Sequence, residues 1–106
     1  MEIAEPLSLT ELQRYVEWLE SDRGFDQQTI IDKCLLLGEE VGELFKAVRK
    51  SSGLAVDSAS ESHEVADELA DILIFLASIA NRAGIDLDQA LRDKEAVNLT
   101  RNWEPS

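Results

Sequence analysis

Apolar residues recur along this chain at the three- and four-residue intervals of an α-helix, and strand-like alternation is nearly absent. Ser8 and Glu11 form a capping box ahead of Leu9, Leu12, Val16 and Leu19, which predicts a first helix ended by Asp22, Arg23 and Gly24. A second helix is expected from about Thr29 to about Lys50. Cys34, Leu37, Val41, Leu44 and Val48 line one seam of it, and Ser51, Ser52 and Gly53 stop it. Segment 51–60 is small and polar and reads as a mobile loop. The third helix is expected from about Glu61 to Ala83, closed by Gly84. Val65, Leu69, Ile72, Leu76, Ile79 and Ala83 make its main seam, while Ile74, Phe75 and Ala77 leave its middle apolar almost all round. Asp86 and Gln89 open a fourth helix running to about Arg101, with Leu87, Leu91 and Val97 on it, and Pro105 beyond.

Four amphipathic helices with short connections predict one all-α domain over residues 1–106, built as a four-helix antiparallel bundle. A helix that is apolar all round is buried on more than one side. One short bundle does not easily cover it, so the expectation is assembly into a dimer or tetramer, the plainer alternative being a central core helix.

The second and third helices also carry acids beside their apolar seams. At about 100° per residue, Glu40 and Glu43 share a stripe with Leu36 and Ala47, and Glu68 and Asp71 share one with Phe75. Antiparallel packing brings four carboxylates together, and like charges at ~6 Å repel by roughly 3 kcal/mol per pair at an effective dielectric near 20. A divalent cation removes that conflict, and all-oxygen ligands suit Mg²⁺, with Mn²⁺ as a substitute, better than Zn²⁺. The ordinary reading is a solvated acidic face. A di-iron bundle calls for Glu-x-x-His, which His63 does not supply, so His63 reads as a solvated residue near a helix start. Gly38 and Gly42, one turn apart inside a helix, allow close approach of a neighbouring helix or a ligand.

Charge narrows the partners. The formal net charge is −12, which disfavours a nucleic acid polymer or an anionic membrane surface. The single cysteine, Cys34, excludes an intrachain disulfide and reads as a small core residue. With no visible secretory signal or membrane-length apolar run, the expected location is cytoplasmic.

Glu39-Glu40-Val41-Gly42-Glu43-Leu44 followed by Glu68-Leu69-Ala70-Asp71 resembles the E-E-x-x-E … E-x-x-D signature of MazG-like nucleotide pyrophosphohydrolases, of the all-α NTP pyrophosphatase superfamily. The resemblance covers roughly residues 25 to 103, and Lys94, Asn98 and Arg101 are similar to a family element on the last helix. It implies Mg²⁺ held by Glu40, Glu43, Glu68 and Asp71. It further implies Glu39 positioning or deprotonating the attacking water, or holding a further ion. Lys94, Asn98 and Arg101 then contact substrate phosphates or sugar. The implied activity is hydrolysis of nucleoside triphosphates, deoxynucleotides preferred, to monophosphate and pyrophosphate, as house-cleaning of the nucleotide pool by a homodimer or homotetramer. For the base, the reading leans to dCTP or a related pyrimidine.

Base stacking has four aromatic candidates: Trp18, Phe25, Phe75 and Trp103. Phe25, in the loop before the second helix, is the residue assigned to the substrate. Trp18 reads equally as a core anchor, Phe75 as core, and Lys33, Lys46 and Arg49 as surface charges. Two other functions remain open: a phosphoribosyl-ATP pyrophosphohydrolase, and a non-catalytic acidic helical interaction module.

Overall fold

The computed structural model describes residues 1–54 and 63–104. Among the described residues four α-helices follow one another: α1 (Leu9–Arg23), α2 (Ile30–Arg49), α3 (His63–Ala83) and α4 (Leu87–Asn98). No strand occurs among the described residues. The expected beginning of the third helix at Glu61 and most of the expected loop 51–60 lie outside the described residues. So does the side chain of His63. Lys50–Leu54 forms a further, wider helical turn after α2, and the helical geometry breaks at Gly53, where φ is 88°, in keeping with the expected stop. Ser51 and Ser52 donate their hydroxyls to the carbonyls of Val48 (3.1 Å) and Arg49 (3.0 Å), satisfying groups that a helix end leaves open.

The ends of the helices are set locally. Ser8 accepts from the Glu11 amide at 3.1 Å. Thr29 and Asp32 form a reciprocal capping box, with Thr29 N donating to the Asp32 carboxylate at 2.9 Å and Asp32 N to Thr29 Oγ1 at 3.1 Å. The Thr29 amide, and then its hydroxyl, hold the Asp32 carboxyl below its ordinary range. Gly24 and Gly84 close α1 and α3 in the left-handed conformation, at φ 77° and 67°.

α2 and α3 run antiparallel. Lys33, early in α2, lies over Phe75, whereas Glu40, later in α2, meets Glu68 and Asp71, earlier in α3. α1 packs on another side of α3, where Leu12, Val16, Leu19 and Ala77 form the buried core. Gln13 joins three elements: its amide donates to Asn81 Oδ1 (3.0 Å) and the Ile85 carbonyl (2.8 Å), and its oxygen accepts from Leu87 N (2.9 Å). α4 leans chiefly on α1.

The all-α class and the helix count agree with the sequence, but the faces do not turn as expected. On α2 the buried positions are Lys33 and Ala47, and Cys34 is exposed rather than in the core. Val48 is exposed, and Leu37, Val41 and Leu44 are only half-buried. On α3 the buried residues are Ala77, Ser78 and Ala80, while Leu69 and Leu76 of the expected seam face outward. Small side chains at the contact let helices approach closely, and the bulky ones are displaced to the flanks. Ile31 (68% exposed), Leu35 (69%) and Phe45 (68%) then form an outward stripe on α2, with Gly38 and Gly42 between them.

Candidate active site

The α2–α3 contact brings acids together. One carboxylate oxygen from each of Glu40, Glu68 and Asp71 lies within 4.8 Å of the others. Glu40 and Glu68 are half-buried and Asp71 is exposed. Glu40 Oε2 and Glu68 Oε2 are shielded from solvent and have no hydrogen-bond partner. Two ionised carboxylates cannot hydrogen-bond each other, since neither can donate. A proton shared with Glu68 resolves this, and together with burial and the charges of Glu68, Asp71 and Glu43 it pushes the Glu40 carboxyl up to about 7. A divalent cation in place of that proton would give the two shielded, unpartnered oxygens a positive centre to bind, and an all-carboxylate donor set fits a small, hard ion such as Mg²⁺ or Mn²⁺. Glu43 is exposed and outside this cluster, though its charge acts on Glu40. Glu39, also exposed, is the neighbour of Glu40 in sequence and is not a member either.

Beside the acids lies a concavity of about 370 Å³, whose lining includes Phe25, Gln28, Phe75 and Asp71. Its deepest residues form a charged network. Glu20 on α1 takes an ion pair from Lys33 Nζ at 3.0 Å, a bond from Arg82 Nη1 at 2.9 Å and one from Ser78 Oγ at 2.9 Å. Burial pulls the Glu20 carboxyl up, but the bonds from Arg82, Lys33 and Ser78 together outweigh it and hold the group below its ordinary value. Lys33 Nζ also sits 5.4 Å from the Phe25 ring centre and 5.6 Å from that of Phe75. Lys33 is therefore a buried, paired cation rather than a surface charge. The fold uses α1 for the carboxylate, α2 for the ammonium and α3 for the guanidinium.

Nothing along the chain joins Glu20, Lys33 and Arg82 to one another, although each carries a signal of its own. Glu20 falls four residues after Val16, Lys33 three before Leu36, and Arg82 seven after Phe75, so each charge lies on an apolar stripe.

The last helix differs from expectation. α4 ends at Asn98, and the backbone tightens there, with Thr100 N donating to the Val97 carbonyl at 3.0 Å and Arg101 N to the Asn98 carbonyl at 3.1 Å. Arg101 therefore lies beyond the helix, and its guanidinium stacks on Trp103 at 4.6 Å. Lys94 is exposed on α4, and Asn98 donates to Glu95 at 3.1 Å. None of Lys94, Asn98 and Arg101 belongs to the acidic cluster or lines the concavity. Trp18, partly exposed, pairs with Tyr15 on α1 with ring centres 5.7 Å apart, and is no buried anchor.

Comparison with known proteins gives the family. A dATP/dGTP diphosphohydrolase of Salmonella phage PMBT28 is 37% identical over 84 residues, covering 79% of this chain and 24% of that protein. A second dATP/dGTP diphosphohydrolase, of Cyanophage S-2L, is 37% identical over 65 residues, covering 61% of this chain and 50% of its own. The chain thus spans between a quarter and a half of the curated relatives it matches. The profile of the MazG nucleotide pyrophosphohydrolase domain matches residues 28–96, which include all the acids above except Glu20. The chain belongs to the MazG nucleotide pyrophosphohydrolase domain family.

Proposed function

We propose that this chain hydrolyses nucleoside triphosphates to the monophosphate and pyrophosphate with the help of Mg²⁺. The observation that carries the reading is the convergence of Glu40, Glu68 and Asp71, two of whose carboxylate oxygens are shielded and unpartnered. The oxygen of water joins the α-phosphorus, the bond from it to the bridging oxygen of the β-phosphate breaks, and pyrophosphate leaves with that electron pair. Glu40, Glu68 and Asp71, with Glu43 beside them, hold the cation. Glu39 positions the water and accepts its proton. A divalent cation there offsets the charge of the triphosphate and polarises the phosphoryl group. Such substitution depends on positioning and charge neutralisation, so no covalent nucleophile is needed.

The relatives named for dATP and dGTP turn the choice of substrate to purine deoxynucleotides, away from the pyrimidine that the sequence alone had favoured. A deoxynucleotide-clearing role and a cytoplasmic place follow from that substrate. No described helix is long and apolar enough to cross a membrane.

The enzyme works as a homodimer or homotetramer in this reading. The outward apolar stripe of Ile31, Leu35 and Phe45 on α2 is the face that a second copy would cover. A partner also supplies the route by which Lys94, Asn98 and Arg101 reach phosphates held elsewhere. Pyrophosphate release from a panel of nucleotides, with and without Mg²⁺, tests the activity. Metal-dependent release from dATP or dGTP supports it. Folded protein without turnover on any of the panel removes it, and light scattering reports the assembly.

A further inference from the structure

We propose that the segment Phe25–Gln28, clasped by Arg82, is the base-reading element of the nucleotide site, and that Gln28 reads the pairing edge of the base; the proposal rests on the nucleotide-hydrolysing reading above. The first observation is the clasp. Arg82 Nη2 donates to the Phe25 carbonyl at 3.0 Å and Arg82 Nε to the Gln28 carbonyl at 2.7 Å. One guanidinium on α3 therefore fixes both ends of the segment between α1 and α2. The same guanidinium is itself held by Glu20 and by Ser78 Oγ, at 2.9 and 2.7 Å. A planar, always-charged fork held on that many sides gives the segment one geometry.

The second observation is an orphan. The side-chain oxygen of Gln28 is shielded from solvent and has no hydrogen-bond partner. A buried acceptor left unmade is costly, and such groups cluster where a ligand completes them. Gln28 lines the concavity beside the acids, together with Phe25 and Phe75, and Asp71 belongs both to that lining and to the acidic cluster. A nucleotide whose phosphates lie at the acids therefore has its base directed to this concavity. Phe25 is exposed and offers a ring for the base to rest on. The terminal torsion of glutamine is soft, so its oxygen can swing onto an N–H of the base. An amide oxygen accepts, so the base it favours carries a donor on its pairing edge, as the 6-amino group of adenine does.

The test compares two non-hydrolysable ligands in Mg²⁺ by calorimetry: the α,β-imido analogue of dATP, and its counterpart with unsubstituted purine, which lacks the 6-amino group. The wild-type chain is expected to bind the first about tenfold more tightly, as removal of one buried hydrogen bond requires. Gln28→Leu is expected to bind both alike, at the weaker level, whereas Gln28→Glu keeps an acceptor and keeps the preference. The rise in Tm on adding Mg²⁺ should be equal in all three, showing that the metal centre is intact. If Gln28→Leu does not fold, Gln28→Ser gives the same readout without adding an apolar group. A preference that survives in Gln28→Leu or Gln28→Ser, or is absent from the wild type, overturns the base-reading role and leaves the hydrolase reading standing. A wild-type chain that binds neither ligand sinks both.

Discussion

Two charged clusters sit along the same pair of helices and are resolved in opposite ways. Around Glu20, one carboxylate receives Lys33, Arg82 and Ser78, and each polar group there has a partner. Around Glu40, three carboxylates face one another, and two of their oxygens have nothing to accept from. The first holds the fold: it ties α1, α2 and α3 through one buried anion. The second costs the fold stability, because like charges at close range repel in a poorly hydrated setting. A protein keeps such a conflict where a ligand relieves it, which is why the second cluster, and not the first, reads as the reaction centre.

The largest effect expected of any single change tests that division. Glu68→Gln should lower turnover by at least about 10²–10³-fold, because it removes a ligand to the charge-neutralising cation. It should leave the metal-free fold as stable or more so, since an amide can donate to Glu40. Pyrophosphate release and thermal melting of the same sample check both halves. Next comes Glu20→Gln, which strands two cations in the interior. It is expected to destabilise the fold by about 3–5 kcal/mol, read as a fall in denaturation midpoint, with Mg²⁺ binding by the surviving folded fraction unchanged.

The two clusters also respond to pH in opposite directions. Glu40, raised from 4.5 to about 7 by the proton shared with Glu68, by burial and by its acidic neighbours, favours a protonated fold. Its stabilisation is complete below about 4.5 and is lost as pH rises to about 7 in metal-free protein. Glu20 is lowered, so its contribution is present above the ordinary carboxyl value of 4.5 and disappears as pH falls below it. Denaturant titrations across pH 3 to 8, with Glu40→Gln as the control, separate the two limbs. If the loss toward neutral pH persists in Glu40→Gln, the assignment to Glu40 is wrong. The smallest effect is expected of Cys34→Ser: an exposed side chain should shift stability by no more than about 0.5 kcal/mol.

Much of this was legible in the residues, and the part that was not has a physical cause. Caps are local, so Ser8, Thr29, Asp86, Gly24 and Gly84 announced the helix ends correctly. The i, i+3 spacing of Glu40 and Glu43, and of Glu68 and Asp71, was also local: of the four acids it singled out, Glu40, Glu68 and Asp71 meet and Glu43 stays outside. Which apolar stripe faces inward was not local. α2 and α3 carry apolar residues around most of their circumference, so periodicity offers several faces and packing chooses among them. The contacts took Ala47, Ala77, Ser78 and Ala80 inward, and the ion pair with Glu20 took Lys33 with them, which left Cys34 and Val48 outward. The Lys33–Glu20–Arg82 network joins residues from three helices: each sits on an apolar stripe of its own helix, but nothing along the chain pairs one with another. Arg101 fits the helical spacing of α4, yet the turn at Thr100 and the ring of Trp103 take it off the helix, which ends at Asn98.

Asp71 is common to the cation's cluster and to the cavity beside it, and that shared membership has a thermodynamic corollary. Two ligands that use one side chain cannot have independent dissociation constants: whatever factor the ion adds to nucleotide affinity, the nucleotide must return to the ion. If a bound cation offsets the charge of Asp71 against the triphosphate, the coupling is positive, and titrating Mg²⁺ alone would understate how firmly it is held beside a nucleotide.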